Sequence, residues 1–375
     1  MISGEYFNGK RLPIPVERGI FMKWFDRMTK DEFRARFGNP SQIAAVKRYT
    51  LREGRADGVD AVDVSTGTGL TFTVVPGRGM DIAWLQYDGK PVSYITKGGM
   101  SHAAFYESGG FKWLYNFYCG MLTTCGLTQA GDPGHDGRYD LGLHGRVANL
   151  PADHVSTSAQ WEGDEYVLRV KGTVSDAVIF GENLVMTREI VTKLGSNTLQ
   201  IRDVVENVGF DKTPFMLMYH MNFGYPVVSE NSRLIGAFSP GKTNGTPNGP
   251  EEFTRFEAPT PGVGEKVFFH QPLTDADGNT AVGIANDELN FGAYIAFNRS
   301  QLPCFTQWKM MGAQDYVVGL EPGNCNPLGR IPAREQGKLQ YLEPGETHES
   351  VITFGILDGA GEIDAFRKKV AQFSR

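Results

Sequence analysis

The chain has 375 residues, enough for two domains or for one large β-sandwich or barrel, and its 41% hydrophobic and 21% charged content is ordinary for a globular protein with a large core. A net charge of −6 without a long basic run argues against a nucleic-acid or anionic-membrane surface and favours a neutral or mildly polar small molecule. Charges at Glu5, Lys10, Arg11, Glu17 and Arg18 interrupt any secretory h-region, no stretch approaches the ~18 apolar residues of a membrane span, and four cysteines without a CxxC pair make no disulfide framework, so a cytoplasmic location is expected.

In chain order, the first periodic element is a helix from Thr29 to Phe37, with Thr29 or Asp31 as N-cap and Gly38 and Pro40 closing it. The period then changes. Val59 to Val64, Gly69 to Val75 and Met80 to Leu85 are short, rich in Val, Thr, Ile and Phe, and separated by glycine-containing turns, which predicts strands. Glu165 to Val174 alternates, Tyr166, Leu168 and Val170 against Arg169 and Lys171, as a half-buried antiparallel strand does. Further strands are expected at Asn183 to Thr192, Thr198 to Glu206, Phe215 to Met221, Phe291 to Phe297, Tyr316 to Leu320 and Ser350 to Ile356. So many strands with almost no helices between them exclude a βαβ architecture and predict an all-β protein, a large antiparallel sandwich with a few short helices.

Two stretches, Gln129 to Asp140 and Ser239 to Pro250, are dense in Gly, Pro, Asp and Asn and read as long surface loops; the first leads directly to His144 and is expected to frame a cleft. The chain closes with an amphipathic helix, Gly361 to Phe373, that places Ile363, Phe366, Val370 and Phe373 on one face. Residues 1–40 are expected to pack as an extension on a single sandwich domain formed by residues 41–375. There is no phosphate loop, no GxSxG elbow and no solenoid repeat, which argues against nucleotide chemistry.

Several polar residues stand out against this background. His220 shares a strand face with Met218 and lies beside Asn222; alone it reads as a core histidine, but Tyr219, His220 and Asn222 together are more polar groups than a dry core gathers without a use. His144 has glycines on either side of a Leu-His pair, so the backbone there can approach a ligand closely, and Arg146 beside it suits an anion or an acidic partner. Glu321 ends a Val-Val-Gly-Leu run and precedes a turn, a rigid place for a general base, although exposed glutamates at strand ends are common. Arg78, in Gly77-Arg78-Gly79-Met80-Asp81, suits sugar hydroxyls or a structural pair with Asp81. Trp308 and Lys309, with Phe305 nearby, offer an aromatic face and a cation. Cys125 lacks an activating neighbour and reads as a small buried residue. His144, His220 and Glu321 are legal metal ligands, but no HxH or HExxH spacing links them, and no metal is expected.

Taken together these phrases resemble the galactose mutarotase-like superfamily, and in particular a poorly characterised bacterial branch of aldose 1-epimerase-like proteins. The resemblance is carried by Gly38-Asn39-Pro40-Ser41-Gln42, Gly77-Arg78-Gly79-Met80-Asp81-Ile82, Thr123-Thr124-Cys125-Gly126-Leu127, Gly142-Leu143-His144-Gly145-Arg146, Tyr219-His220-Met221-Asn222-Phe223-Gly224 and Glu321-Pro322. It implies a β-supersandwich and a cofactor-free isomerase that interconverts the anomers of a free sugar by acid/base ring opening. By the same resemblance Glu321 is similar to the base and His220 to the acid, while His144, Arg78 and Asn222 are similar to sugar-binding residues. The family's substrate-binding aspartate has no clear counterpart, and Asp315 is a candidate by its nearness to Glu321. Lys309 and Arg330 have no counterpart either; as extra cations near the sugar they suit an acidic substrate or an enediolate, which keeps open an aldose-ketose isomerase or C2 epimerase. A third reading is a non-catalytic carbohydrate-binding protein, and a homodimer is compatible with all three.

Overall fold

The computed structural model describes residues 28–239 and 250–374, with two short strands, Tyr6–Phe7 and Lys10–Arg11, in the segment before them. Most of the expected N-terminal extension and of the Ser239 to Pro250 loop therefore lies outside the described residues.

The described chain is built around two large antiparallel sheets. One is eleven-stranded; its main path runs from Lys266–His270 through Cys304–Met311, Tyr316–Gly323, Thr213–Phe223, Leu122–Leu127, Asp81–Tyr87, Leu70–Val75 and Asp60–Ser65 to Ala45–Thr50. The other is eight-stranded, from Asp153–Glu162 through Glu165–Ala177, Asn183–Lys193, Thr198–Asn207, Thr347–Asp358, Phe291–Asn298 and Asn279–Asn286 to Ser232–Ile235. Every strand predicted by alternation is present, most of them longer by one to three residues at an end.

Alternation decides which side chains meet. On Thr213–Phe223, Phe215, Leu217, Tyr219, Met221 and Phe223 join the main core, which also takes Leu168, Val170, Ile201, Ile295, Ile352 and Phe354 from the eight-stranded sheet. The even-numbered residues of that strand, Met216, Met218, His220 and Asn222, point away from this core. Burying a Leu or Phe of this kind contributes roughly 1.5–3 kcal/mol, so the register of a strand with five such residues is firmly set.

The helices are few and peripheral. Lys30–Arg36 begins at Thr29, whose side chain accepts from the Glu32 amide while Glu32 caps Thr29 in return, and Phe33 packs edge-on against Trp161. Ala360–Val370 covers the eight-stranded sheet with Ile363, Phe366 and Val370, the apolar face expected of it. No helix among the described residues is long and apolar enough to cross a membrane. Gln129 to Asp140 is more ordered than its composition suggested: Gly134–Asp136 and Tyr139–Leu141 pair as a small hairpin, held by Arg330 and Arg334 through Asp136.

Candidate active site

The outer face of the eleven-stranded sheet carries a cleft of about 350 Å³. Its floor comes from three adjacent strands, Thr213–Phe223, Tyr316–Gly323 and Cys304–Met311, which contribute His220, Glu321, Thr306 and Trp308. Connecting segments add Trp113, Phe117, Asp132 and His144, and Glu265 reaches in beside Trp308.

Glu321 and His220 are in contact, with Oε1 to Nε2 at 3.2 Å and both side chains almost fully buried. They stand on neighbouring strands of one floor rather than on opposite walls. Gly319 makes the contact feasible: a Cβ there would fall on the Glu321 carboxylate and lie 3.2 Å from both the His220 ring and Trp308. Asn222 fixes the imidazole. Its amide nitrogen donates to the His220 carbonyl at 2.9 Å, so its oxygen faces His220 Nδ1 at 2.5 Å and accepts from it. A neutral His220 therefore carries its proton on Nδ1 and turns a bare Nε2 towards Glu321.

Burial pushes His220 down to about 4. It pushes Glu321 well above the usual carboxylate range, and the charge of Glu265 adds to the shift. Both directions favour the uncharged forms, a protonated Glu321 facing a bare His220 Nε2. The Thr306 hydroxyl opposite Glu321 on the next strand is buried without a hydrogen-bond partner, and Glu321 Oε1 has none beyond its contact with His220 Nε2.

His144 is held differently. Its backbone is left-handed, at φ 57°, and this conformation is held by the Gly126 amide donating to the His144 carbonyl at 3.0 Å and the His144 amide donating to Gly131 at 2.9 Å. Gly145 follows at φ 74°, packed so tightly on the Gly126 and Gln129 carbonyls that a side chain has no room. The Gly131 amide donates to His144 Nδ1 at 3.2 Å, which leaves Nε2–H as the ring's free donor. Burial, with His220 nearby, pushes His144 down to about 3, so this ring is neutral at ordinary pH. Its ring packs 4.9 Å from Trp113 and 5.8 Å from His220.

The structure thus brings together Glu321, His220, His144 and Trp308, with Asn222 one layer behind. It does not bring Arg78, Lys309 or Arg330 into the cleft. Arg78 is caged beneath the sheet: Nε donates to Ala148 at 2.9 Å, Nη1 to Ser101 at 2.5 Å, and Nη2 to Asn116 and Asn149, with Tyr118 against its face. Nor does it pair with Asp81, which Arg188 and Thr124 hold instead. Lys309 follows Trp308 on a strand and so points to the opposite face, bonded to Glu257 and the Glu252 carbonyl at 2.8 Å each. Arg330 is buried between Asp136 and Glu182, where it anchors the small hairpin. Asp315 pairs with Lys97 at the surface, and Arg146 with Asp176. Cys125 is the buried small residue expected, among Ala130, Met216, Met218 and Cys325.

Thr306, Asp132 and Glu265 line the cleft without having been singled out. Thr306 carried a signal, being two residues before Trp308 on a strand and hence on the same face. Asp132 carried one too, lying in the Gln129 to Asp140 stretch expected to frame a cleft, whereas Glu265 carried none, because chain folding alone brings it to the mouth.

No curated protein matches the chain in sequence. Among solved structures it is similar to a protein from Klebsiella pneumoniae named "putative aldose 1-epimerase", with 26% identity, a TM-score of 0.82 and 88% of this chain and 87% of that one covered. It is also similar to a galactose mutarotase-like protein from Clostridium acetobutylicum, at 15% identity and TM-score 0.59 over 84% of this chain and 99% of that one. A galactose 1-epimerase from Lactobacillus acidophilus matches at 13% identity and TM-score 0.55, over 84% and 99% of the two chains. The fold is accordingly the galactose mutarotase-like supersandwich expected from the sequence. The sequence model of a domain of unknown function, DUF4432, matches residues 56–356, and the chain belongs to that family.

Proposed function

We propose that the protein is an aldose 1-epimerase-like isomerase that opens and closes the ring of a free sugar. The observation that carries this reading is the Glu321–His220 contact of 3.2 Å at the floor of an aromatic-walled cleft. Anomerisation needs a base at the anomeric hydroxyl and an acid at the ring oxygen, and both oxygens belong to one carbon. An acid and a base side by side on one floor suit that geometry better than a pair on opposite walls.

In ring opening Glu321 takes the proton of the anomeric hydroxyl, His220 Nε2 gives a proton to the ring oxygen, and the bond between the anomeric carbon and the ring oxygen breaks to leave an aldehyde. The pair keeps one proton throughout. At rest burial holds that proton on Glu321, and their contact allows it to pass to His220 when sugar hydroxyls complete the Glu321 carboxylate. After the aldehyde turns over, the reverse transfers close the ring as the other anomer. His144 donates from Nε2 to a sugar oxygen, Asp132 is available to accept from hydroxyls, and Trp308 and Trp113 cover the apolar face of the ring.

The test is anomeric exchange, followed by NMR over a panel of aldoses. Glu321→Gln and His220→Ala are expected to lower the rate by about 10²–10⁴ each. Absence of exchange with every sugar would sink the proposal. Chemistry at carbon loses the support that Lys309 and Arg330 would have lent, since both are committed elsewhere; deuterium entering a sugar C–H bond would restore it.

A further inference from the structure

Among the described residues, the ionisable groups lining the cleft are three carboxylates and two imidazoles: Asp132, Glu265, Glu321, His144 and His220. No lysine or arginine among the described residues lines it. Cations stand close by, and each is turned to another acid. Lys112, between Phe111 and Trp113, pairs with Glu107 at 2.8 Å, and Lys266, next to Glu265, pairs with Glu252 and Glu257. Lys309, Arg330 and Arg146 are bound to Glu257, to Asp136 and Glu182, and to Asp176.

Around these acids stand the rings of Phe111, Trp113, Phe117, Phe269 and Trp308, whose faces attract cations and repel anions. The Glu321–His220 pair and the buried Thr306 hydroxyl, which has no hydrogen-bond partner, mark the floor of the cleft, where the ligand's reacting end sits. Asp132 and Glu265 are exposed and lie further out, where substituents remote from that end would lie. Glu265 is held by the Trp308 indole N–H at 2.7 Å, which fixes its carboxylate at the cleft.

We propose that the cleft selects by charge: it takes an aldose without an anionic group, best of all one bearing a protonated amine, and Asp132 and Glu265 set that preference. The inference rests on the sugar reading above and names the class of sugar. A phosphate or carboxylate substituent would enter among like charges with no cation to receive it, while an ammonium would meet carboxylates and aromatic faces together.

Full-length protein is given galactosamine, galactose, galactose 6-phosphate and galacturonate, and the four glucose counterparts, with anomeric exchange read by NMR and binding by tryptophan fluorescence. The expected order of kcat/KM is amino sugar, then neutral sugar, with both anionic sugars lower than the neutral one by about tenfold or more. The double variant Asp132→Asn, Glu265→Gln narrows the gap between neutral and anionic sugars to within about threefold, and salt near 1 M narrows it in the unaltered protein, because both carboxylates are exposed. An anionic sugar that matches or exceeds the neutral one, an amino sugar that falls below it, or a gap that survives in the double variant overturns this inference alone. Silence from all eight sugars overturns it together with the reading beneath it.

Discussion

Two buried polar clusters lie on opposite faces of the same strand, Thr213–Phe223, and they are built on opposite principles. On the core side Tyr219 donates to Asp203 at 2.7 Å and meets Ser350 at 2.6 Å, while Arg188 bonds Asp203 at 2.8 and 2.6 Å and Asp81 at 2.8 Å. Asp81 in turn accepts from the Thr124 hydroxyl and amide. Every member of this cluster has partners, so it ties the two sheets together and has nothing to offer a ligand. On the other side, one residue along, His220 meets Glu321, whose inner oxygen has no partner beyond that ring, beside a Thr306 hydroxyl with none. Burial is equal in the two clusters. Completeness of hydrogen bonding separates structure from site.

That contrast can be broken at its sharpest point first. Glu321→Gln should remove about 10²–10⁴ of the exchange rate yet change unfolding free energy by less than about 1 kcal/mol, because the amide keeps the carboxyl's size and can still donate to His220 Nε2. Arg188→Met should do the reverse: two carboxylates are left facing each other in the core, and about 3–5 kcal/mol of stability goes, measured by denaturant unfolding, while molecules that fold keep their exchange rate. If Glu321→Gln proved the more destabilising of the two, the distinction would fail.

Proton linkage sharpens it further. His144 takes up its proton near 6.5 when unfolded and only near 3 when folded, so the unfolded state binds more protons in that window and stability falls as the pH drops below about 6.5. Urea unfolding of the protein and of His144→Asn, whose asparagine tolerates the left-handed backbone, should differ in slope by about 1 kcal/mol per pH unit in that window. The smallest effect is expected at Lys309→Met, about 1 kcal/mol of stability and less than a twofold change in rate, because its partner Glu257 is half exposed and neither lines the cleft. A large loss of rate there would return Lys309 to the site.

The architecture was legible because alternation survives in nearly every strand, from Tyr166, Leu168 and Val170 onward. Glu321, His220 and His144 were legible because glycines and polar neighbours crowd around them in otherwise apolar strands. Arg78, Lys309 and Arg330 misled for one physical reason. A cation caged by carbonyls or carboxylates and a cation awaiting a ligand look alike in sequence, and only the three-dimensional count of partners tells them apart. Lys309 had a partial signal, since alternation forbids it from sharing a face with Trp308. Gly319, two residues before Glu321 in a strand interior, marked the crowding at the pair.

Tyr219 and His220 are neighbours in the chain, and this has a consequence for populations of molecules. A slip of one position along Thr213–Phe223 would carry the imidazole to the core side, against Arg188 and Asp203, and the phenol into the cleft, disrupting the core and the candidate site in one event. Misregistered molecules that retain partial turnover are therefore not expected. Specific activity in a preparation should count correctly folded molecules one for one.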